Sequence, residues 1–176
     1  MKRNVFESED MDQLDVTVSE LLVATTEQSD VLVDASVSQV LQVLREKLGM
    51  DVVFVAEFDG DHHVLRQVAN PEGARVHQPG EVRELEQTWC HHVVEGRLPR
   101  LVKDTAHDPA MRHAPPAPAK IGAFITTPIV LGDRQNYGTL CTYSFSANDA
   151  LGDRQLQAME KAAHHIAQAV GRRRAG

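Results

Sequence analysis

The spacing of apolar positions changes several times along the chain. Met11, Leu14, Val18 and Leu21 recur at intervals of 3, 4 and 3, the a/d spacing of a coiled-coil seam, and predict a first helix. The pattern lapses at Thr25, Thr26 and Gln28. A second helix is predicted where Ser36 and Gln39 have capping-box spacing and Val37, Val40, Leu41, Leu44 and Leu48 fall on one face, with Gly49 behind it as a C′ residue. Residues 51–58 and 62–69 are then rich in β-branched and aromatic positions around Asp59-Gly60-Asp61, which predicts an antiparallel hairpin. Asn70–Gly80 reads as loop. Helical spacing returns from Glu84 to Val94 through Leu85, Trp89 or Cys90, and Val93, and Leu98–Val102 reads as a short strand.

The stretch from Asp104 to Lys120 holds Pro109, Pro115, Pro116 and Pro118, and is neither helix nor central strand. Residues 121–131 and 137–145 predict a second hairpin around residues 132–136. Leu156, Met159, Ala163, Ile166 and Val170, again at intervals of 3 and 4, predict a closing helix. Strands joined by hairpins with helices at both ends make this an α+β chain with a mainly antiparallel sheet. No repeat is visible. The division expected is residues 1–30 as an N-terminal helix and tail, 31–171 as the folded domain, and 172–176 as a basic tail.

Composition narrows the function. An apolar fraction of 42% and a charged fraction of 24% over 176 residues suit one globular domain with a full core. No run approaches the roughly 18 consecutive apolar residues of a membrane span. The start, MKRNVFESED, lacks an apolar export segment, so a cytoplasmic location is expected. The net charge of −7 argues against nucleic acid, since the only dense basic cluster is Arg172, Arg173 and Arg174. Cys90 and Cys141 are far apart in sequence and give little reason to expect a structural disulfide.

No phosphate loop, H-E-x-x-H or C-x-x-C motif occurs. Cys90-His91-His92 invites a nucleophilic reading. Yet helix neighbours point about 100° apart, so Cys90 is expected to pack as a small hydrophobe, with the histidines partly exposed. Asp104, His107, Asp108 and His113 could converge on a metal in the long loop, but nothing in their spacing fixes a geometry, and no metal site is expected.

The segments LGMDVVFVAEFDGD (48–61), TWCHHVVEGRLPRLVKDT (88–105), IGAFITTPIVLGDRQNYGTLCTYS (121–144) and DRQLQAMEKAAHHIAQAV (153–170), in this order, resemble the GAF domains of bacterial signalling proteins. The resemblance implies a sheet of about six antiparallel strands. Terminal helices would cover one face, and a pocket under the inter-strand helix and long loop would cover the other. It implies a non-enzymatic sensor that binds a small molecule, of a class that the sequence leaves open, and passes the signal through its terminal helices. It also implies a homodimer pairing through those helices, and a histidine kinase or cyclic-di-GMP output domain as partner.

Family functions can be compared with the residues at matching positions. Free methionine sulfoxide reductases, the enzymatic alternative, use clustered cysteines, and only Cys90 and Cys141 exist here. Bilin-attaching relatives carry a cysteine in the stretch corresponding to Ala114–Lys120, which here has none. Asn148-Asp149-Ala150 does not reproduce the cyclic-nucleotide signature. Matching the Tyr137-Gly138 step to bilin-binding relatives places Phe124 and Thr126 on the pocket side. Cys141 and Tyr143 are expected beside them, Trp89 and Cys90 in the helix above, and the Pro-rich loop as the lid.

Overall fold

A computed structural model describes residues 8–23, 30–117 and 119–175. Four helices and six strands follow one another as α1 (Ser8–Val23), α2 (Asp30–Leu48), β1 (Val52–Asp59), β2 (His62–Ala69), β3 (Val82–Glu84), α3 (Trp89–Val94), β4 (Leu101–Val102), β5 (Ala123–Val130), β6 (Asn136–Ser144) and α4 (Asp153–Ala175). The strands form one antiparallel sheet in the order β3-β2-β1-β6-β5-β4. This is the α+β architecture expected from the hairpins and terminal helices.

Alternation along the three central strands divides the core in two. Val53 and Val55 of β1, Ala123, Ile125 and Ile129 of β5, and Leu140 of β6 bury against α2 and α4, on which α1 packs in turn. Val52, Phe54 and Ala56, with Phe124, Cys141 and Tyr143, face the other way and form a second cluster with Cys90 and Val93 of α3. Pro128 is tolerated in β5 because β4 pairs only with Phe124 and Ile125, so the strand is an edge beyond them.

The α1 seam is occupied within the chain. Met11, Leu14 and Val18 of the expected seam are buried against α2 and α4, with Leu22 the fourth buried position and Leu21 only half-buried, and Asp15 Oδ1 lies 2.9 Å from His165 Nε2 of α4. The same spacing that suggests a coiled coil between chains is satisfied here by a layer of the chain's own helices.

Several boundaries differ from the sequence expectation. The helix predicted from Ser36 starts at Asp30, and Ser36 is buried inside it rather than capping it. Apolar periodicity marks where a helix is packed, not where its hydrogen bonds begin. Its end is as expected. Gly49 has φ +67°, Met50 N donates to Arg45 O and Gly49 N to Glu46 O, the paired bonds of a Schellman stop. Thr25, Thr26 and Gln28 lie outside the described residues. The helix expected over 84–94 is shorter. Residues 82–84 pair with β2, Leu85–Gln87 make one 3₁₀ turn, and Thr88 starts α3 by accepting from His91 N. The strand expected over Leu98–Val102 shrinks to Leu101–Val102. Arg172 and the residues to 175 continue α4 rather than forming a tail, because arginine is a good helix former.

β1 and β6 approach closely at one point. A side chain on Gly138 would collide with the carbonyl of Ala56, so only glycine fits that register. Gly138→Ala should lower stability by about 2 kcal/mol, the order expected for forced overpacking, and the melting temperature by roughly 5 °C. Thermal unfolding followed by circular dichroism measures it. A melting temperature equal to the parent's would contradict this close approach.

Candidate functional site

A cavity of about 70 Å³ lies on the sheet face away from the terminal helices. Its floor is Phe54 of β1, His63 and Leu65 of β2 and Tyr143 of β6. Its walls and roof are His77, Glu81, Arg83, Gln87, Thr88, Trp89, Cys90 and Ile121. Arg83 and Gln87 are exposed and mark the mouth.

An irregularity in β2 sets part of the floor. Val55 pairs with Gln67 but Ala56 pairs with Leu65, leaving Arg66 as an extra residue in the ladder. Unbroken alternation from Val68, which packs on the cavity side, would carry Arg66 and Val64 to that side. The bulge reverses the phase, bringing Leu65 and His63 inward and sending Arg66 out to pair with Glu57 Oε1 at 2.8 Å. His63 is 5% exposed, and its Nε2 has no hydrogen-bond partner among the described residues. A buried polar atom left open in this way is costly unless something else completes it.

The second polar feature is a chain of three side chains. Glu81 Oε2 lies 3.0 Å from His77 Nδ1, and His77 Nε2 lies 2.6 Å from the Tyr143 hydroxyl. Burial, then the charges of Glu81 and Asp51, push the Tyr143 phenol well above its ordinary range. Tyr143 therefore keeps its proton. With Nδ1–H donating to Glu81, the phenol donates to Nε2 and its oxygen has lone pairs left to accept. Asn70 holds His77 in place. Its Nδ2 donates to His77 O at 3.0 Å, and its Oδ1 accepts from Val76 N and His77 N, both at 3.1 Å. The sequence reads this stretch only as loop. The side-chain amide of Asn70, with the backbone bonds of Gly80 N to Leu65 O and Leu65 N to Glu81 O, holds it over the sheet.

The six residues proposed from sequence fall into two groups. Trp89, Cys90 and Tyr143 line the cavity. Phe124, Cys141 and Thr126 do not reach it. Phe124 lies behind Trp89, with ring centroids 5.5 Å apart. Thr126 pairs with Cys141 across β5 and β6, and both are buried beneath the cavity wall. None of the described residues of the Pro-rich loop lines the cavity. The loop is tied to the first residue of α3, where Trp89 Nε1 donates to Pro115 O at 2.6 Å. The cover is instead the segment from His77 to Cys90.

Cys90 and Cys141, 51 positions apart in sequence, meet in space with their sulfurs 2.9 Å apart, both as free cysteines. Separation along the chain says little here, because α3 packs across the sheet on β5 and Cys90 reaches from it to β6. The hydrogen bond from Cys141 and the nearby His63 hold the Cys90 thiol well below the ordinary thiol range, against the effect of burial. Burial, and then Cys90 itself, push Cys141 up. His91 and His92 play no part in this. His91 Nε2 lies 3.0 Å from Glu86 Oε1 and His92 Nε2 lies 2.9 Å from Glu86 O, so both brace the start of α3. In the long loop, His107 pairs with Asp104 at 2.8 Å and Asp108 accepts from Ala110 N. Among the described residues, no group of three His, Cys, Asp or Glu could hold a metal ion, and no helix is long and apolar enough to cross a membrane.

Comparison with solved structures gives the same architecture. The chain is similar to the free methionine-R-sulfoxide reductase of Neisseria meningitidis in complex with its substrate, with 14% identity, 95% of this chain and 92% of that one covered, and a TM-score of 0.73. It is similar to the GAF domain of an Acinetobacter phosphoenolpyruvate-protein phosphotransferase, with 12% identity, 96% of each chain covered and a TM-score of 0.73. It is also similar to the phycoerythrobilin-bound GAF domain of a cyanobacterial phytochrome, with 15% identity, 92% and 96% covered and a TM-score of 0.71. At these identities the likeness is one of fold. No curated protein matches the chain. The GAF domain family model matches residues 33–171, four-fifths of the sequence and every strand of the sheet, and the chain belongs to the GAF domain family.

Proposed function

We propose that this GAF domain is a small-molecule-binding regulatory module. The observation that carries the reading is the cavity over the sheet, apolar on most sides, with the Tyr143 oxygen and His63 Nε2 as convergent polar groups. The ligand class that fits is a compact molecule with an apolar or aromatic body and an N–H or O–H donor for Tyr143. A linear tetrapyrrole would have to displace the His77–Cys90 cover. The terminal helices lie on the opposite face of the same strands, which gives ligand-induced shifts in β6 a route to α4. A partner kinase or cyclic-di-GMP output domain fits this direction of signalling. A homodimer would have to use surfaces other than the α1 seam, which α2 and α4 cover.

Native mass spectrometry of freshly purified protein should reveal a retained small molecule. Titration calorimetry with that molecule, or with the single-ring probes pyrrole and pyrazole, then measures the site. Tyr143→Phe should weaken binding about tenfold, the loss of one buried hydrogen bond, while the circular dichroism spectrum is unchanged. Equal affinity in the variant would place the ligand elsewhere.

The close approach of Cys90 and Cys141 favours a second reading, a small thiol reductase acting on free methionine sulfoxide. Only two cysteines are present, both are buried, and of the two only Cys90 lines the cavity. We expect no reduction of free methionine sulfoxide in a coupled NADPH assay. Turnover that disappears in Cys90→Ser would establish the enzymatic reading instead.

A further inference from the structure

We propose that Cys90 and Cys141 form a redox-active dithiol that a hydroperoxide entering the cavity converts to an intrachain disulfide, with Cys90 as the attacking sulfur. The two sulfurs stand 2.9 Å apart, so closing to a bond of about 2.05 Å requires less than an ångström of movement. They sit on separate elements, Cys90 on the second residue of α3 and Cys141 in the middle of β6.

The two sulfurs are not equivalent. Cys90 lines the cavity, whose mouth opens between Arg83 and Gln87, whereas Cys141 lies behind it. His63, its Nε2 otherwise unpartnered, lies beside Cys90, and both it and Cys141 favour the thiolate there. The thiolate is the form that attacks. A small oxidant therefore meets Cys90 first and finds Cys141 in position to resolve the product.

The chemistry balances in two steps. The Cys90 thiolate attacks the terminal oxygen of a hydroperoxide, forming an S–O bond and breaking the O–O bond, and the leaving alkoxide takes a proton to become an alcohol. Cys141 then loses its proton, and its sulfur attacks the Cys90 sulfenic acid. The S–S bond forms, the S–O bond breaks, and the departing hydroxide takes the proton as water. Two thiols and one hydroperoxide give one disulfide, one alcohol and one water. A dithiol reductant supplies the two electrons and two protons that reverse it by exchange.

Hydrogen peroxide, which gives water in place of the alcohol, is the probe. The fully reduced chain is exposed to it without added ligand, quenched with an alkylating agent and mapped by peptide mass spectrometry. We expect loss of both free thiols together, a Cys90–Cys141 cross-link within one chain, and recovery of both thiols with dithiothreitol. In Cys141→Ser, dimedone should trap a sulfenic acid on Cys90. The proposal is overturned if the wild-type chain keeps both thiols, oxidises Cys90 to sulfinic acid without a cross-link, or links two chains together. Because the cross-link in the wild-type chain decides the matter, a Cys141→Ser chain that fails to fold does not blunt the test. The result is also independent of small-molecule affinity, so the ligand-binding reading stands or falls separately.

Discussion

β6 is the strand on which the other parts converge. It pairs with β1 on one side and β5 on the other, and its alternation decides what each face of the molecule receives. Leu140 goes to the helices, and Cys141 and Tyr143 go to the cavity. A slip of one residue would exchange these sets and leave neither core intact. The register is held sterically at Gly138, where the backbone of β1 leaves no room for a side chain, and by hydrogen bonding at Thr142, whose hydroxyl donates to Val52 O at 2.9 Å. The cavity thus inherits its geometry from the most tightly constrained part of the fold.

The sequence reveals those parts of the structure that depend on periodicity. The two hairpins, the amphipathic helices and the Gly49 stop follow from short patterns whose physical cause is local. So does the shared orientation of Phe124, Cys141 and Tyr143, since two paired strands separated by a short turn keep their phase. The cavity was harder to read because its polar residues depend on departures from pattern. His63 faces inward only because Arg66 interrupts the ladder, and no hydrophobic period signals that interruption. His77 and Glu81 come from a loop held by the Asn70 amide, which bonds to residues six and seven positions ahead, and by backbone bonds of Gly80 and Glu81 with Leu65. The meeting of Cys90 with Cys141 is a tertiary fact, created when α3 packs on the sheet at β5, the neighbour of β6.

The two polar systems of the cavity differ in character. The Glu81–His77–Tyr143 chain is internally complete and therefore rigid, presenting an oxygen whose remaining role is to accept. His63 Nε2 and the Cys90–Cys141 pair are incomplete or reactive. His63 lies in the floor, Cys90 in the roof and Cys141 behind the cavity, so the groups able to change adjoin those placed to recognise.

The bond from Trp89 to Pro115 has a consequence for how this surface can vary. Neighbouring prolines deprive the segment of backbone donors, and at Pro115 it offers a carbonyl that a single indole N–H fixes. The described residues of 104–120 are moored there and at Thr105, whose N donates to Gly122 O and whose hydroxyl donates to Ile121 O, and none of them lines the cavity. Residues inserted or removed on either side of the Pro115 mooring alter the outer contour of the domain while the binding chamber keeps its shape. The contour and the chamber can thus diverge independently in evolution.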